Sequence, residues 1–239
     1  MNTRRHDGKC TATGTCIHPR ASLLLALPAA AMPGANCSQL VPHPVDTAPF
    51  RSPQAVHSAL ASRFAGQDIV ELGTRRGDGM ACFAAVARRA VAVEMDPKYC
   101  RWLQARQDRL AAPRFGVSCR DYRKAEADVD GDIITWWQQP PHLIDGAVLR
   151  SLRRLQHQGT IRASAQAVVL FDTKFQADLK SFAYLNRSRG WIQWSEQVPF
   201  DERQLCCAKH KWRGSCSSIC SRASGTFLIA GIPIQNVRT

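Results

Sequence analysis

From residue 68 onward the chain switches repeatedly between two hydrophobic periods. The runs "DIVEL" (68–72) and "AVAVE" (90–94) are short and continuously apolar, as expected of strands covered on both faces. Between them "GMACFAAVARR" (79–89) sets Met80, Phe83, Ala84 and Ala87 at helical spacing. Arg88 and Arg89 fall in the last turn of that predicted helix, where cations suit the helix dipole. Beyond the second run, Asp96 is placed to cap a helix and Pro97 to start it, with Tyr99, Trp102 and Leu103 on one face.

The alternation continues. "FGVSCRD" (115–121), "GDIITWW" (131–137) and "AQAVVLFD" (165–172) read as strands. "LIDGAVLRSLRRLQ" (143–156) and "ADLKSFAYLNRSRG" (177–190) read as helices, the first with Ile144, Val148, Leu152 and Leu155 in line. The pattern then changes, because "WIQWSEQVPF" (191–200) and "GTFLIAGIPI" (225–234) are strands with only a loop between them. Antiparallel strands join directly, whereas parallel ones need a crossover. The expectation is an α/β sandwich of three layers around a seven-stranded, mostly parallel sheet whose last strand is antiparallel. A helix over 52–64 leads into it.

The first 45 residues read differently. Arg4, Arg5, Lys9 and Arg20 precede the apolar run "ASLLLALPAAA" (21–31), followed by small residues and Pro33, Pro42 and Pro44. A basic lead, a short apolar run and an Ala-rich exit make the pattern of a secretory signal; an organellar address or a disordered leader are the open alternatives. The run is shorter than the roughly 20 residues that span a bilayer. Residues 46–239 are expected to form a single domain, with a Cys-rich basic loop at 203–225.

Composition changes this picture in two places. A formal charge of +13 over 239 residues invites a nucleic-acid reading, yet the cations form no block of five and are read in preference as excess surface charge. Ten cysteines are many for a reducing compartment. Cys206, Cys207, Cys216 and Cys220 cluster near His210, but their spacing matches no paired C-x-x-C zinc pattern. A disulfide or plain loop cysteines are the preferred readings, and no metal is expected.

The chemistry gathers at "DIVELGTRRGDGMACF" (68–83). Gly73 and Gly77 allow a tight bend and close approach to a ligand, without the G-x-G-x-x-G order of a dinucleotide loop. An acid, Glu71, precedes the first glycine, and a pyrophosphate would be repelled there. Glu94 closes the second strand 21 residues after Gly73, near the place where nucleotide folds keep a ribose-binding carboxylate. A carboxylate ending an apolar strand is costly without a partner.

Together these residues resemble class I S-adenosylmethionine-dependent methyltransferases, a family with a Rossmann-like seven-stranded fold. The likeness follows the order of elements from Asp68 to Ile234 and is specific at the first two strands. It implies S-adenosylmethionine as cofactor, held by Glu71, Gly73, Thr74, Arg75, Gly77, Glu94, Met95, Asp121 and Tyr122. Glu71 would face the ammonium group, Arg75 or Arg76 the carboxylate, Glu94 the ribose, Met95 the adenine face and Asp121 its amino group, with Tyr122 nearby. Arg75 stands where the family has its middle glycine.

The end of the fourth strand is where such proteins keep their acceptor chemistry. "TWWQQPPH" (135–142) only echoes the Asp/Asn-Pro-Pro-aromatic motif of amino-group methyltransferases, so that chemistry is not carried over. Trp136 and Trp137 read either as walls of an acceptor pocket or as packing against the sheet. His142, Asp145 and Asp172 are the candidate bases. The acceptor is unidentified, a small molecule being favoured over a nucleic acid. Competing functions are an inactive methyltransferase-like module gripping an acidic partner through 203–222, and an NAD-dependent oxidoreductase, against which the glycine order and Glu71 both speak.

Overall fold

The computed structural model describes residues 35–42, 44–46, 53–109, 115–124, 128–138, 144–201 and 224–238. Seven strands form one sheet in the order β3-β2-β1-β4-β5-β7-β6. They are β1 (Asp68–Leu72), β2 (Arg89–Val93), β3 (Gly116–Ser118), β4 (Ile133–Trp137), β5 (Gln166–Asp172), β6 (Trp194–Asp201) and β7 (Ser224–Pro233). The pairs among β1 to β5 are parallel, and β7 runs antiparallel to both β5 and β6. This is the expected Rossmann-like sheet, the antiparallel strand slotted in beside β5.

The helices are α1 (Cys37–Leu40), α2 (Gln54–Arg63), α3 (Asp78–Phe83), α4 (Pro97–Arg109), α5 (Ile144–His157) and α6 (Gln176–Ala183), the last continued by a π-helical turn at Tyr184–Ser188. Every residue of β1 is buried, which explains its unbroken apolar run. Its side chains alternate between two cores. Val70 and Leu72 join Ile134, Trp136, Val169 and the buried face of α5 on one side. Ile69 joins Ile133, Leu170, Met80, Phe83 and the buried residues of α2 on the other. In α5, Val148, Leu152 and Leu155 are buried as predicted, whereas Ile144 is exposed.

One expectation needs correction. The helix read over 79–89 stops at Phe83, so Arg88 and Arg89 do not complement its dipole. Arg88 instead binds Asp68 and Asp132, and Arg89 opens β2 and pairs with Asp128. The Cys37 and Val41 side chains, within the stretch read as leader, are buried in the second core. Cys37 is joined to Cys82 of α3 by a disulfide, Cα to Cα 5.4 Å, and Cys100 to Cys119 by a second, 5.7 Å. Both pairings connect cysteines that had no assigned partner, and connectivity is not deducible from spacing. Residues 1–34 and the cluster Cys206, Cys207, Cys216 and Cys220 with His210 lie outside the described residues. Among those described, no helix is long and apolar enough to cross a membrane, and no group of three His, Cys, Asp or Glu is placed to hold a metal.

Candidate functional site

The loop from β1 to α3 is coiled by three left-handed residues, Gly73 (φ 68°), Arg75 (φ 57°) and Gly77 (φ 80°). At Gly73 an added Cβ would meet nothing within 4 Å, so the demand there is purely conformational. At Gly77 it would lie 2.7 Å from Leu103 Cδ2, so packing demands glycine as well. Arg75 keeps the backbone that its middle-glycine position requires, at a cost of about 1 kcal/mol for a side chain in that region. Its N–H donates to Glu94 Oε2 at 3.1 Å, tying the loop to the end of β2.

Glu94 is 5% exposed and accepts a second bond on Oε1 from the Asp96 N–H at 2.9 Å. Each carboxylate oxygen retains a further lone pair. Beside it a cavity of about 650 Å³ opens at the carboxyl ends of β1, β2 and β4, the edge where α/β sheets bind ligands. Gly73, Thr74, Arg75, Glu94, Met95 and Tyr122, all named in the sequence reading, line it. Met95 is 60% exposed, an apolar side chain held open beside Glu94. Trp136, Trp137, Ile144 and Val148 supply the apolar wall on the β4 side.

Three expected ligands are not on that wall. Gly77 serves as the N-cap of α3. Asp121 points its carboxylate at Arg123, 2.5 Å away, which holds it below the usual carboxylate range. Its neighbours Arg120, Tyr122 and Arg123 line the cavity instead. Glu71 is 2% exposed and lies beneath the loop, with Oε2 accepting from Thr74 Oγ1 (2.5 Å) and Oε1 from Trp137 Nε1 (3.1 Å). Burial pushes its carboxyl up to about 7, against the pull of those two bonds. The buried ring of His57 packs edge-on to Trp137 and Phe83, and burial lowers its pKa to about 4, so it is neutral. A Cβ at Gly79 would fall 2.8 Å from His57 Nε2 and 3.2 Å from Glu71 Oε2, so this layer closes only over a glycine.

Among the candidate bases, Asp145 is fully buried, bound by Trp136 Nε1 at 2.9 Å and by Ser181 Oγ. Burial raises it to about 6. Its position makes it an anchor for Trp136 rather than a group on the cavity wall. Asp172 is 5% exposed and accepts from the Lys174 N–H, also away from the wall. His142 lies outside the described residues.

The sequence reading missed Asp46, Asp96, Tyr99, Arg120 and Arg123 as lining residues. Asp96 and Tyr99 were within reach, because the helix that they start follows Glu94 directly. Asp46 was not, since its partners lie some thirty residues away. Its N–H and that of Val45 donate to Asp78 Oδ2 at 2.7 and 2.8 Å, and Arg76 Nη1 donates to Val45 O at 3.2 Å. In return Asp46 Oδ1 and Oδ2 accept from the N–H groups of Arg76 (3.2 Å) and Asp78 (3.3 Å). Residues 44–46 thus form a strap across the glycine loop.

No family model matches the chain. Over 138 residues, 56% of this chain, it is 30% identical to a probable S-adenosylmethionine-dependent methyltransferase of Mycolicibacterium smegmatis. The chain spans about half the length of that curated relative, 51%. Solved structures similar to it include magnesium protoporphyrin IX methyltransferase from Synechocystis with bound S-adenosylmethionine (TM-score 0.49, 14% identity, 74% of this chain and 76% of that one). Another is precorrin-6y C5,15-methyltransferase from Geobacter metallireducens (TM-score 0.49, 11% identity, 75% and 89%). By sequence, then, the chain is similar to an S-adenosylmethionine-dependent methyltransferase, and it has the Rossmann-like sheet on which such a loop is expected.

Proposed function

We propose that the chain binds S-adenosylmethionine and transfers its methyl group to an acceptor. The observation that carries this reading is Glu94: a buried carboxylate anchored on the loop backbone at the mouth of a cavity, 21 residues beyond Gly73. The likeness to the mycobacterial relative supports it. The residues present fit the cofactor. Glu94 would take the ribose hydroxyls, Met95 and Tyr99 would flank the adenine, and Gly73 lets the loop backbone approach the methionyl chain. The sulfonium supplies an activated methyl group, so the chain's own task is alignment. Trp136, fixed by its bond to Asp145, and Ile144 give the acceptor side an apolar wall. That wall favours a small, apolar or aromatic acceptor. Because the sulfonium is already activated, a base is needed only for an acceptor that must lose a proton.

We also read the chain as maturing in an oxidising compartment, supported by its two disulfides and by the signal-like leader. Calorimetric titration with S-adenosylhomocysteine tests the cofactor reading. Wild type should bind it, and Glu94→Ala should lose at least about a hundredfold in affinity, the worth of two charge-assisted hydrogen bonds. Equal binding by the variant, or none by wild type, would sink the assignment. A screen with labelled methyl donor would then identify the acceptor.

A further inference from the structure

The acid of the glycine-loop motif, Glu71, is walled off from the cavity, and both of its oxygens are bound within the protein. A different carboxylate stands on the wall. We propose that Asp46, on the strap of residues 44–46, is the group that takes up the ammonium of the cofactor's amino-acid moiety. The inference rests on the cofactor reading above and assigns a binding residue within it.

Three observations support it. Asp46 lines the cavity next to Gly73, Thr74 and Arg75, although only 6% of it is exposed. Each of its oxygens accepts one backbone N–H, which fixes the carboxylate and leaves a lone pair on each. Among the described residues no Lys or Arg forms an ion pair with it. Its neighbour Asp78 is a contrast, fully buried but matched by Arg106 Nη1 at 2.7 Å. A buried carboxylate without a cation is costly, and a ligand cation removes that cost. Burial, with the nearby Asp78 charge, pushes Asp46 up to about 6, against the pull of its two backbone bonds and the Arg75 charge. Arg75 lines the same cavity with its guanidinium 5.6 Å from the Tyr99 ring, so a zwitterion would meet one group of each sign.

Three nucleosides test this by calorimetry: S-adenosylhomocysteine, its deaminated analogue, and 5′-methylthioadenosine, which lacks the amino acid altogether. Wild type should prefer S-adenosylhomocysteine to the deaminated analogue by about tenfold to a hundredfold. Asp46→Asn should abolish that preference while leaving 5′-methylthioadenosine binding unchanged, and Glu71→Gln should retain it. A merely structural role for Asp46 would weaken all three ligands together. That result, or a preference surviving in Asp46→Asn, overturns the proposal. Should Asp46→Asn not fold, Asp46→Ser keeps a small acceptor for the two N–H groups and is read in the same way. Wild type binding none of the three overturns the cofactor reading itself, whereas binding all three equally removes only the role of Asp46.

Discussion

The two ends of the same parallel strands differ in how completely their carboxylates are matched to arginines. At the amino ends, Asp68, Asp130 and Asp132 share Arg162, and Asp68 and Asp132 also share Arg88, at 2.7 to 3.0 Å. All three titrate below the usual range. In Asp68 and Asp130 arginine hydrogen bonds are the main cause, and in Asp132 the Asp68 N–H and Arg162 outweigh burial. At the carboxyl ends Asp78 and Asp121 pair with Arg106 and Arg123, but Glu71 and Asp46 form no ion pair with an arginine among the described residues, and both titrate high. Acids neutralised within the protein hold the sheet together. Acids left without a cation weaken the fold, and the one on the cavity wall, Asp46, is the candidate to meet a ligand's charge.

The largest way to disturb this arrangement is to detach the strap. Cys37 and Cys82 close a loop with a sequence separation of 45, worth about 4 kcal/mol by the chain-entropy relation, against about 3 kcal/mol for the separation of 19 between Cys100 and Cys119. The pair Cys37→Ser/Cys82→Ser should therefore lower the midpoint of urea unfolding more than Cys100→Ser/Cys119→Ser does. It should also weaken S-adenosylhomocysteine binding, because α1 leads into the residues that carry Asp46. Equal losses from the two double variants would show that the strap has no special part in the carboxyl-end site.

Removing the charge at Glu71 sharpens the contrast next. Its carboxyl sits at about 7 in the folded chain against an ordinary 4.5, so the folded state binds the proton more tightly. Stability from this group is then greatest below about pH 4.5 and declines as pH rises through 7, by about 3 kcal/mol across the window. Asp46 and Asp145, raised to about 6, add slopes of the same sign. Glu71→Gln keeps an acceptor for Trp137 and offers Thr74 a donor. Unfolding titrations should find it more stable than wild type at pH 8 and equal to it at pH 4. The same difference at both values would mean that Glu71 is ionised without penalty.

These contrasts were only partly legible in the sequence, for identifiable reasons. The sheet could be read because parallel strands buried on both faces appear as unbroken apolar runs, β1 and β5 above all. That Glu94 has partners could be read, because a charge that closes such a run needs them, and they are the N–H groups of Arg75 and Asp96. The role of Glu71 could not, since the Trp137 that occupies it comes from β4, 66 residues on. α3 was read too long because Ala84–Ala87 favours a helix by propensity, while Arg88 and Arg89 are drawn off to aspartates that follow much later. Asp46 carries no local signature at all. Its meaning depends on backbone bonds to a loop that the chain reaches only after another helix and strand.

The smallest expected effect tests whether the two ends are independent. Arg162→Leu leaves Asp68, Asp130 and Asp132 without the cation they share, and should cost about 2 kcal/mol at neutral pH, on the low side because Arg162 is 28% exposed. The three carboxylates have lowered pKa values, so the stability they contribute is present above the ordinary aspartate range and is lost as pH falls through their folded values. The gap between variant and wild type should therefore narrow towards acid pH, as in the Glu71→Gln series, but here with the variant less stable than wild type rather than more. Under conditions where the variant remains folded, its affinity for S-adenosylhomocysteine should match wild type, since none of these groups touches the cavity. A parallel loss of affinity would show that the arginine-matched end sets the geometry of the other, making the division between a structural end and a binding end untenable.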